Sequence, residues 1–475
     1  MNDKLTRREV LQKGLGMVAG VGALSALGRV AEAAATRKPN IIIVLADQMR
    51  YEELGCGGNK IIRTPNMDRM ASQGCLFTNA ISGNPVCSPY RGMMLTGRYG
   101  HTTGVVANDI ALPSSEKTIA EILKPHGYST AYIGKWHLFG NRAVRIPKER
   151  RHGFDYWASE NCGHEYFNSP VWLSDTESKS VLPGYQPVAQ TDLAIDYIKK
   201  HKDNPFLLVL SWGPPHVPNI APEKYMNMYA PGSIKQSPNV QGDYRETIAK
   251  CYGQVTSIDD DLGRLMKALQ EAGIEDDTIL VFSSDHGDML MAHGQLQKQR
   301  PWEEAIHVPF ILRYPEKIKA GRQTDVLLHP TDILPTLLSL AGVPTPSNVQ
   351  GASLSPFALG KKAREPESVF LQDILPCGQA VSTGITPWRG VRTKRYTYAR
   401  RRKEGWVLYD NQKDPDQLNN LIDRPEAKKL QAEMEAELQK WLKRTGDDFA
   451  TSQVWEDRIK DTAGAARRKK LRGEG

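Results

Sequence analysis

Residues 41–46, Ile-Ile-Ile-Val-Leu-Ala, form an apolar run too short for an ordinary helix and rich in β-branched side chains. That is the composition of a strand buried on both faces. Comparable runs at 130–134, 206–211, 278–283 and 308–312 alternate with helical stretches at 66–73, 117–124, 191–199, 246–272 and 332–340. Short buried strands alternating with helices predict an α/β fold with a large mixed, mostly parallel sheet flanked by helices. Gly127-Tyr128 and Gly273-Ile274 read as helix stops that feed the next strand. Pro344, Pro346, Ser347, Asn348, Gly351, Gly360 and Pro366 crowd together and mark a boundary, giving a first domain over 37–365. Residues 366–475 predict a smaller C-terminal α+β subdomain with a basic tail. Its strands are expected at 390–400 and 405–409, with a turn at Asp414-Pro415-Asp416. An amphipathic helix over 424–442 sets Leu430, Met434, Leu438 and Leu442 on one side.

The N-terminus is set apart from this pattern. Thr6-Arg7-Arg8-Glu9-Val10-Leu11 carries paired arginines, a glycine-rich apolar run follows from Leu15 to Gly28, and Ala31-Glu32-Ala33 offers a small-x-small cleavage site. The run is shorter than the roughly 20 residues of a membrane span. Residues 1–33 therefore read as a twin-arginine (Tat) signal, which predicts export by the Tat machinery to the periplasm or beyond. No other stretch is long and apolar enough to cross a bilayer. The formal charge of +8 is modest for 475 residues, and the basic runs 400–403 and 467–470 have no aromatic platforms beside them. This argues against nucleic acid as a partner and for solvated surface that can steer a polyanionic substrate. Six cysteines without CxxC spacing exclude a disulfide scaffold and a structural zinc site.

Four polar clusters stand at the carboxyl ends of expected strands, where open α/β sheets hold their ligands. They are Asp47-Gln48, Lys135-Trp136-His137, His216 within Ser211-Trp-Gly-Pro-Pro-His216, and Asp285-His286. Asp47, Gln48 and Asp285 offer oxygen ligands and His286 a nitrogen, a set suited to a hard divalent cation. Lysines and histidines around such an ion neutralise an anionic ester and move protons. The set suits displacement at a sulfate or phosphate ester, and no dinucleotide fingerprint supports redox chemistry. The stretch 161–168, with His164, is polar and aromatic and is a candidate for substrate contacts.

A further element is Cys87-Ser-Pro-Tyr-Arg-Gly-Met-Met-Leu-Thr-Gly-Arg98. Pro89 favours a helix start, which sets Cys87 at a helix N-terminus, where unpaired N–H groups attract anions, and Arg91 one turn on along the same face. Cys-x-Pro-x-Arg followed by Leu95-Thr96-Gly97-Arg98 resembles the signature of type I sulfatases of the alkaline phosphatase superfamily. Tyr90 stands where that family usually carries a small residue. The likeness runs from Pro39-Asn40 to Leu418-Asn419-Asn420-Leu421.

The resemblance implies an alkaline phosphatase-like sheet and oxidation of Cys87 to formylglycine (3-oxoalanine) by a formylglycine-generating enzyme. It also implies one divalent cation, usually Ca2+ with Mn2+ or Mg2+ as alternatives, on Asp47, Gln48, Cys87, Asp285 and His286. Gln48 stands where many members have Asp, and His286 where many have Asn. In the implied mechanism a hydroxyl of hydrated residue 87 attacks sulfur in line. His216 and Lys298 steady the sulfate oxygens and the departing alcohol, and His137 takes the second hydroxyl's proton. Arg91 and Lys135 hold the nucleophile and its charge. Lys298 has Arg300 as its rival within 294–302. His307 is read as structural although it looks like metal-ligand material, as does His293; Asp288 reads as loop chemistry and Trp136 as wall packing. The expected activity is hydrolysis of a sulfuric ester, with a sulfated carbohydrate preferred on the strength of the export signal and basic surface. A phosphonate or phosphodiester hydrolase and a silent binder of sulfated glycans are the competing readings.

Overall fold

The computed structural model describes residues 38–140, 144–174 and 176–462, with 466, 469 and 470. The expected Tat signal, and Arg467 and Arg468 of the tail, lie outside the described residues. Among those described, ten strands form one sheet: β1 Asn40–Asp47, β2 Cys75–Ala80, β3 Ser129–Gly134, β4 Tyr156–Ser159, β5 Phe167–Leu173, β6 Ser180–Tyr185, β7 Phe206–Pro215, β8 Thr278–Ser284, β9 Phe310–Arg313 and β10 Arg322–Leu328. Their order is β10-β2-β9-β8-β1-β7-β3-β4-β5-β6. β8, β1, β7 and β3 lie side by side and all run parallel, so their carboxyl ends meet on one edge.

Every residue of β1 is buried. Alternate side chains feed two cores, as the pleat requires. Ile41, Ile43 and Leu45 pack with Tyr90, Trp136 and Leu334 on one face. Ile42, Val44 and Ala46 pack with Val255 and Leu262 of the long Arg245–Glu271 helix on the other. Covering both faces with helices is what makes these strands read as continuous apolar runs.

Element ends shift where local chemistry dictates. The run expected at 308–312 becomes a strand only from Phe310, because Pro309 has no N–H to give a ladder. The helix expected over 117–124 starts at Ile119 behind a capping box of Thr118 and Glu121, and yields to a 3-10 turn that contains Pro125.

A second sheet of four antiparallel strands follows: β11 Val369–Asp373, β12 Trp388–Arg392, β13 Tyr396–Arg401 and β14 Gly405–Asp410, in that order. The single strand expected at 390–400 is in fact β12 and β13 joined by a tight turn. The Lys428–Thr445 helix covers this sheet, with Met434 and Leu438 buried against Phe370, Val391, Tyr398 and Leu408. Each such side chain contributes about 1.5–3 kcal/mol on burial. The same cluster includes Met93 and Tyr99, so the small sheet backs the helix that begins at Cys87. No disulfide joins any of the six cysteines, all of which lie among the described residues. Among the described residues no helix is long and apolar enough to cross a membrane.

Candidate active site

Cys87 is the first residue of the Cys87–Thr96 helix, all ten residues of which are buried. Gly97 ends the helix at φ 68°, its N–H donating to Met93 O at 2.8 Å. Cys87 Sγ lies 3.3 Å from His286 Nε2, 3.5 Å from Lys135 Nζ and 4.0 Å from Asp47 Oδ1. Asp47 ends β1, Lys135 follows β3, and Asp285 and His286 follow β8. One ligand atom from each of Asp47, Cys87, Asp285 and His286 falls within 4.8 Å of the others, and all four residues are buried. His286 Nδ1–H donates to Gly287 O at 2.9 Å, which leaves the Nε2 lone pair facing the cluster.

Arg91 sits one turn further along the helix and is fully buried. Its guanidinium donates to Asp285 Oδ2 at 2.9 and 3.1 Å, to Ser211 Oγ at 2.7 Å and to Lys135 O at 2.9 Å, and reaches Asp47 Oδ2 at 3.4 Å. Lys135 Nζ pairs with the same Asp47 oxygen. Gln48 is beside the cluster rather than among its four members. Its N–H donates to Asp285 Oδ1 at 3.1 Å, its Oε1 accepts from Lys298 Nζ at 2.7 Å, and its Nε2 donates to Asp288 Oδ2 at 2.6 Å. Asp288, read from sequence as loop chemistry, thus orients Gln48.

Three histidines complete the site. His137 Nε2–H donates to Asp109 Oδ1 at 3.2 Å. Its Nδ1 is buried without a hydrogen bond of ordinary geometry, and the Cys162 and Cys87 thiols lie close to the ring. His216 gives its Nδ1–H to Val217 O at 2.7 Å and stacks on His164 with ring centroids 4.0 Å apart and planes 5° from parallel. Arg300, the rival of Lys298, turns away to Gln295 and Thr383. His307 stacks on Tyr51 and holds Thr78 O, and His293 stacks on Trp302, both apart from the cluster. Trp136 is buried in an aromatic wall with Tyr132, Phe154 and Trp157.

The electrostatics are those of a buried, ion-paired centre. Burial and the Cys87 sulfur work against charge on Asp47, but Lys135 and Arg91 outweigh them and hold its carboxyl well below the usual range. Burial likewise opposes a Cys87 thiolate, yet Lys135, Lys298 and His286 bring that thiol well below its ordinary value. His216 is pushed the other way: burial first, and then Lys298, keep it neutral. His137 is pushed up to about 10, because Cys162 and Asp109 overcome its burial.

The structure gathers Asp47, Gln48, Cys87, Arg91, Lys135, His137, His216, Asp285 and His286 at this edge of the sheet, with Lys298 bonded to Gln48 and His164 stacked on His216. Sequence reasoning missed Asp109, Ser211 and Cys162. Ser211 was in view as the end of an expected strand; Asp109 follows no strand, and stands in a loop at φ 65°. Asp109 fixes the His137 ring and assigns the proton to Nε2, leaving Nδ1 to take one up. Asp109→Ala is expected to lower turnover by roughly 10- to 100-fold with little change in KM, read from steady-state kinetics. An equal rise in KM with turnover intact would assign Asp109 to substrate binding instead.

The donor set fits a hard divalent cation. Two buried carboxylates and an imidazole lone pair converge, with the Gln48 carboxamide adjacent.

Comparison with known proteins gives a consistent answer. The sulfatase family profile matches residues 39–343, and the profile described as N-sulphoglucosamine sulphohydrolase, C-terminal, matches 292–444. An ulvan-active sulfatase of Formosa agariphila is 40% identical over 424 residues, which cover 87% of this chain and 82% of that one. An endo-4-O-sulfatase of Bacteroides thetaiotaomicron is 31% identical, covering 89% of this chain and 95% of its own. A solved structure of a protein in complex with its substrate D-glucosamine-2-N,6-O-disulfate superposes with a TM-score of 0.79 at 25% identity, over 87% of this chain and 99% of that one. The phosphonate monoester hydrolase of Silicibacter pomeroyi shares the fold, with a TM-score of 0.73 at 21% identity. With one profile spanning more than half its length and two relatives above 30% identity across most of it, the chain belongs to the sulfatase family.

Proposed function

We propose that this sulfatase removes sulfate from a sulfated carbohydrate, with residue 87 converted to formylglycine and one divalent cation, Ca2+ before Mn2+ or Mg2+, at the centre. The observation that carries the reading is the buried meeting of Cys87 with Asp47, Asp285 and His286 at the head of a helix. Formylglycine supplies a hydrated aldehyde, one hydroxyl to attack sulfur and a second whose proton can be withdrawn. Asp47, Gln48, Asp285 and His286 would hold the cation, which would supply Lewis acidity toward an ester oxygen.

The chain's own residues do the rest. Arg91 and Lys135 balance the two carboxylates and fix the orientation of residue 87. His137, held by Asp109 through Nε2–H, presents its buried Nδ1 to take the proton of the second hydroxyl. Lys298 and Lys135 bind sulfate oxygens. The charge of a bound ester opposes the lysines that keep His216 neutral, so His216 can carry a proton toward the leaving oxygen. His164, stacked on His216, extends the site toward the sugar. A carbohydrate is favoured because relatives that match most of this chain bear the names ulvan-active sulfatase and endo-4-O-sulfatase. The N-terminal leader would deliver the enzyme by the Tat route to the periplasm or medium, after a formylglycine-generating enzyme has acted.

The test is sulfate release, by ion chromatography, from a panel of sulfated polysaccharides, sulfated monosaccharides and an aryl sulfate. A phosphonate ester and a phosphodiester are run beside them. Turnover of a carbohydrate sulfate above all others is expected, and preferential phosphonate or phosphodiester turnover would overturn the reading. Chelation is expected to abolish release and lower the unfolding midpoint. A cation at 100 times its Kd restores about 2.7 kcal/mol of stability. Full activity after exhaustive chelation would remove the cation from the proposal.

A further inference from the structure

The chain between β8 and the short Glu303–Ile306 helix carries Asp285, His286 and Lys298. In it Leu290, Met291, His293, Gln297 and Gln299, none of them glycine, stand at φ between 40° and 71°. Side chains disfavour that conformation, and it persists only where the surroundings impose it. Backbone hydrogen bonds from Met289 to Gln297 O (2.6 Å) and from Met291 to Gln295 O (2.7 Å) close a narrow hairpin, but neither includes Lys298.

Next to Lys298, Gln299 ties the backbone to a segment outside the loop. Its Nε2 donates to Cys377 O at 2.7 Å and its Oε1 accepts from Cys377 N–H at 2.8 Å. The partners dictate the orientation of the carboxamide, since a backbone N–H only donates and a carbonyl only accepts. Trp388 Nε1 donates to Gln299 O at 3.2 Å. Gln299, Cys377 and Trp388 are all buried, so water does not compete for these bonds. Cys377 follows β11 and Trp388 opens β12, so the hold comes from the small C-terminal sheet. Ile374, Leu375 and Cys377 also pack in one apolar cluster with Val86, the residue before Cys87. One segment therefore braces both the lysine loop and the start of the nucleophile helix.

We propose that Gln299 is a positioning residue: its two-point pairing with Cys377 fixes Lys298 in register with Cys87 and makes the segment after β11 a working part of the active site. The inference rests on the role given to Lys298 above. A misplacement of the order of 1 Å at a reacting group costs about 100-fold, so Gln299→Leu, similar in size and unable to make either bond, should lower kcat/KM by about 10- to 100-fold.

The experiment is a double-mutant cycle of Gln299→Leu and Lys298→Ala on the full chain, with rates expressed per chain whose residue 87 is converted by peptide mass. The double variant is expected to be no slower than Lys298→Ala alone, because Gln299 acts through that lysine. Amide exchange over 289–300 should quicken in Gln299→Leu, with β1 and β8 unchanged. Losses that multiply, or a Gln299→Leu rate within twofold of the parent, would overturn the inference. Lys298→Ala at the parent rate would instead strike down the role of Lys298. If Gln299→Leu does not fold, Trp388→Phe removes the bond to Gln299 O while keeping an aromatic ring and both bonds to Cys377. A loss of a few fold that disappears in the Lys298→Ala background supports the brace, and one that persists there rejects it.

Discussion

Cys87→Ala abolishes sulfate release, with a fall of roughly 10,000-fold or more expected when a nucleophile is deleted, while the fold survives. The atoms around Sγ are polar: His286 Nε2 at 3.3 Å, Lys135 Nζ at 3.5 Å and Asp47 Oδ1 at 4.0 Å. Removing sulfur from among them opens no apolar cavity of the kind that costs several kcal/mol. Alanine is also the best helix former, and residue 87 is the first of its helix. Asp47, Asp285 and His286 remain, so divalent cation should still raise the melting midpoint of the variant. Cys162 is the other thiol near the site with a depressed pKa, burial there being outweighed by His137 and Lys135. Peptide mass separates the two, the aldehyde being expected at residue 87 alone. Release within tenfold of the parent by Cys87→Ala would place the nucleophile elsewhere.

What the sequence made legible is the edge where β8, β1, β7 and β3 end. Their cores are buried on both faces, so each strand reads as an apolar run, and a polar residue at its carboxyl end stands out. Strands at the margins carry no such signal. β6 buries only Leu182 and Tyr185 of its six residues and contains Pro183, and β10 opens with the polar Arg322-Gln-Thr-Asp325. The β12–β13 turn escaped because Thr393-Lys394-Arg395 has neither Gly nor Pro. It is closed by the Thr393 hydroxyl, which accepts from the N–H groups of Arg395 and Tyr396. Asp109 and Gln299 illustrate a harder limit. Each acts on its neighbour from a loop at positive φ, and no periodicity or motif marks either position. Their partners, His137 and Cys377, are 28 and 78 residues away along the chain.

Arg91→Met keeps most of the side-chain volume and removes the charge between two fully buried carboxylates, Asp47 and Asp285. Breaking a buried pair in this way costs about 3–5 kcal/mol, because the carboxylates are left facing each other without water. Ser211 Oγ and Lys135 O lose their donor as well. Arg91→Lys is expected to fare little better, since a single ammonium cannot span acceptors on Asp285, Ser211 and residue 135 as the planar fork does. The deficit has a pH signature. Asp47 is held below its ordinary value, so its contribution to stability is full at neutral pH and lost as pH falls below 3.8 toward the folded-state value. The gap between variant and parent therefore narrows as acid protonates Asp47. It should also narrow with cation: a divalent ion held by Asp47 and Asp285 would offset the negative charge that Arg91 balances, and urea midpoints at neutral pH should recover in part with millimolar Ca2+. A gap unchanged by saturating Ca2+ and unchanged between pH 7 and the acid limb would mean that Arg91 supports packing alone, and that these carboxylates do not share the cation.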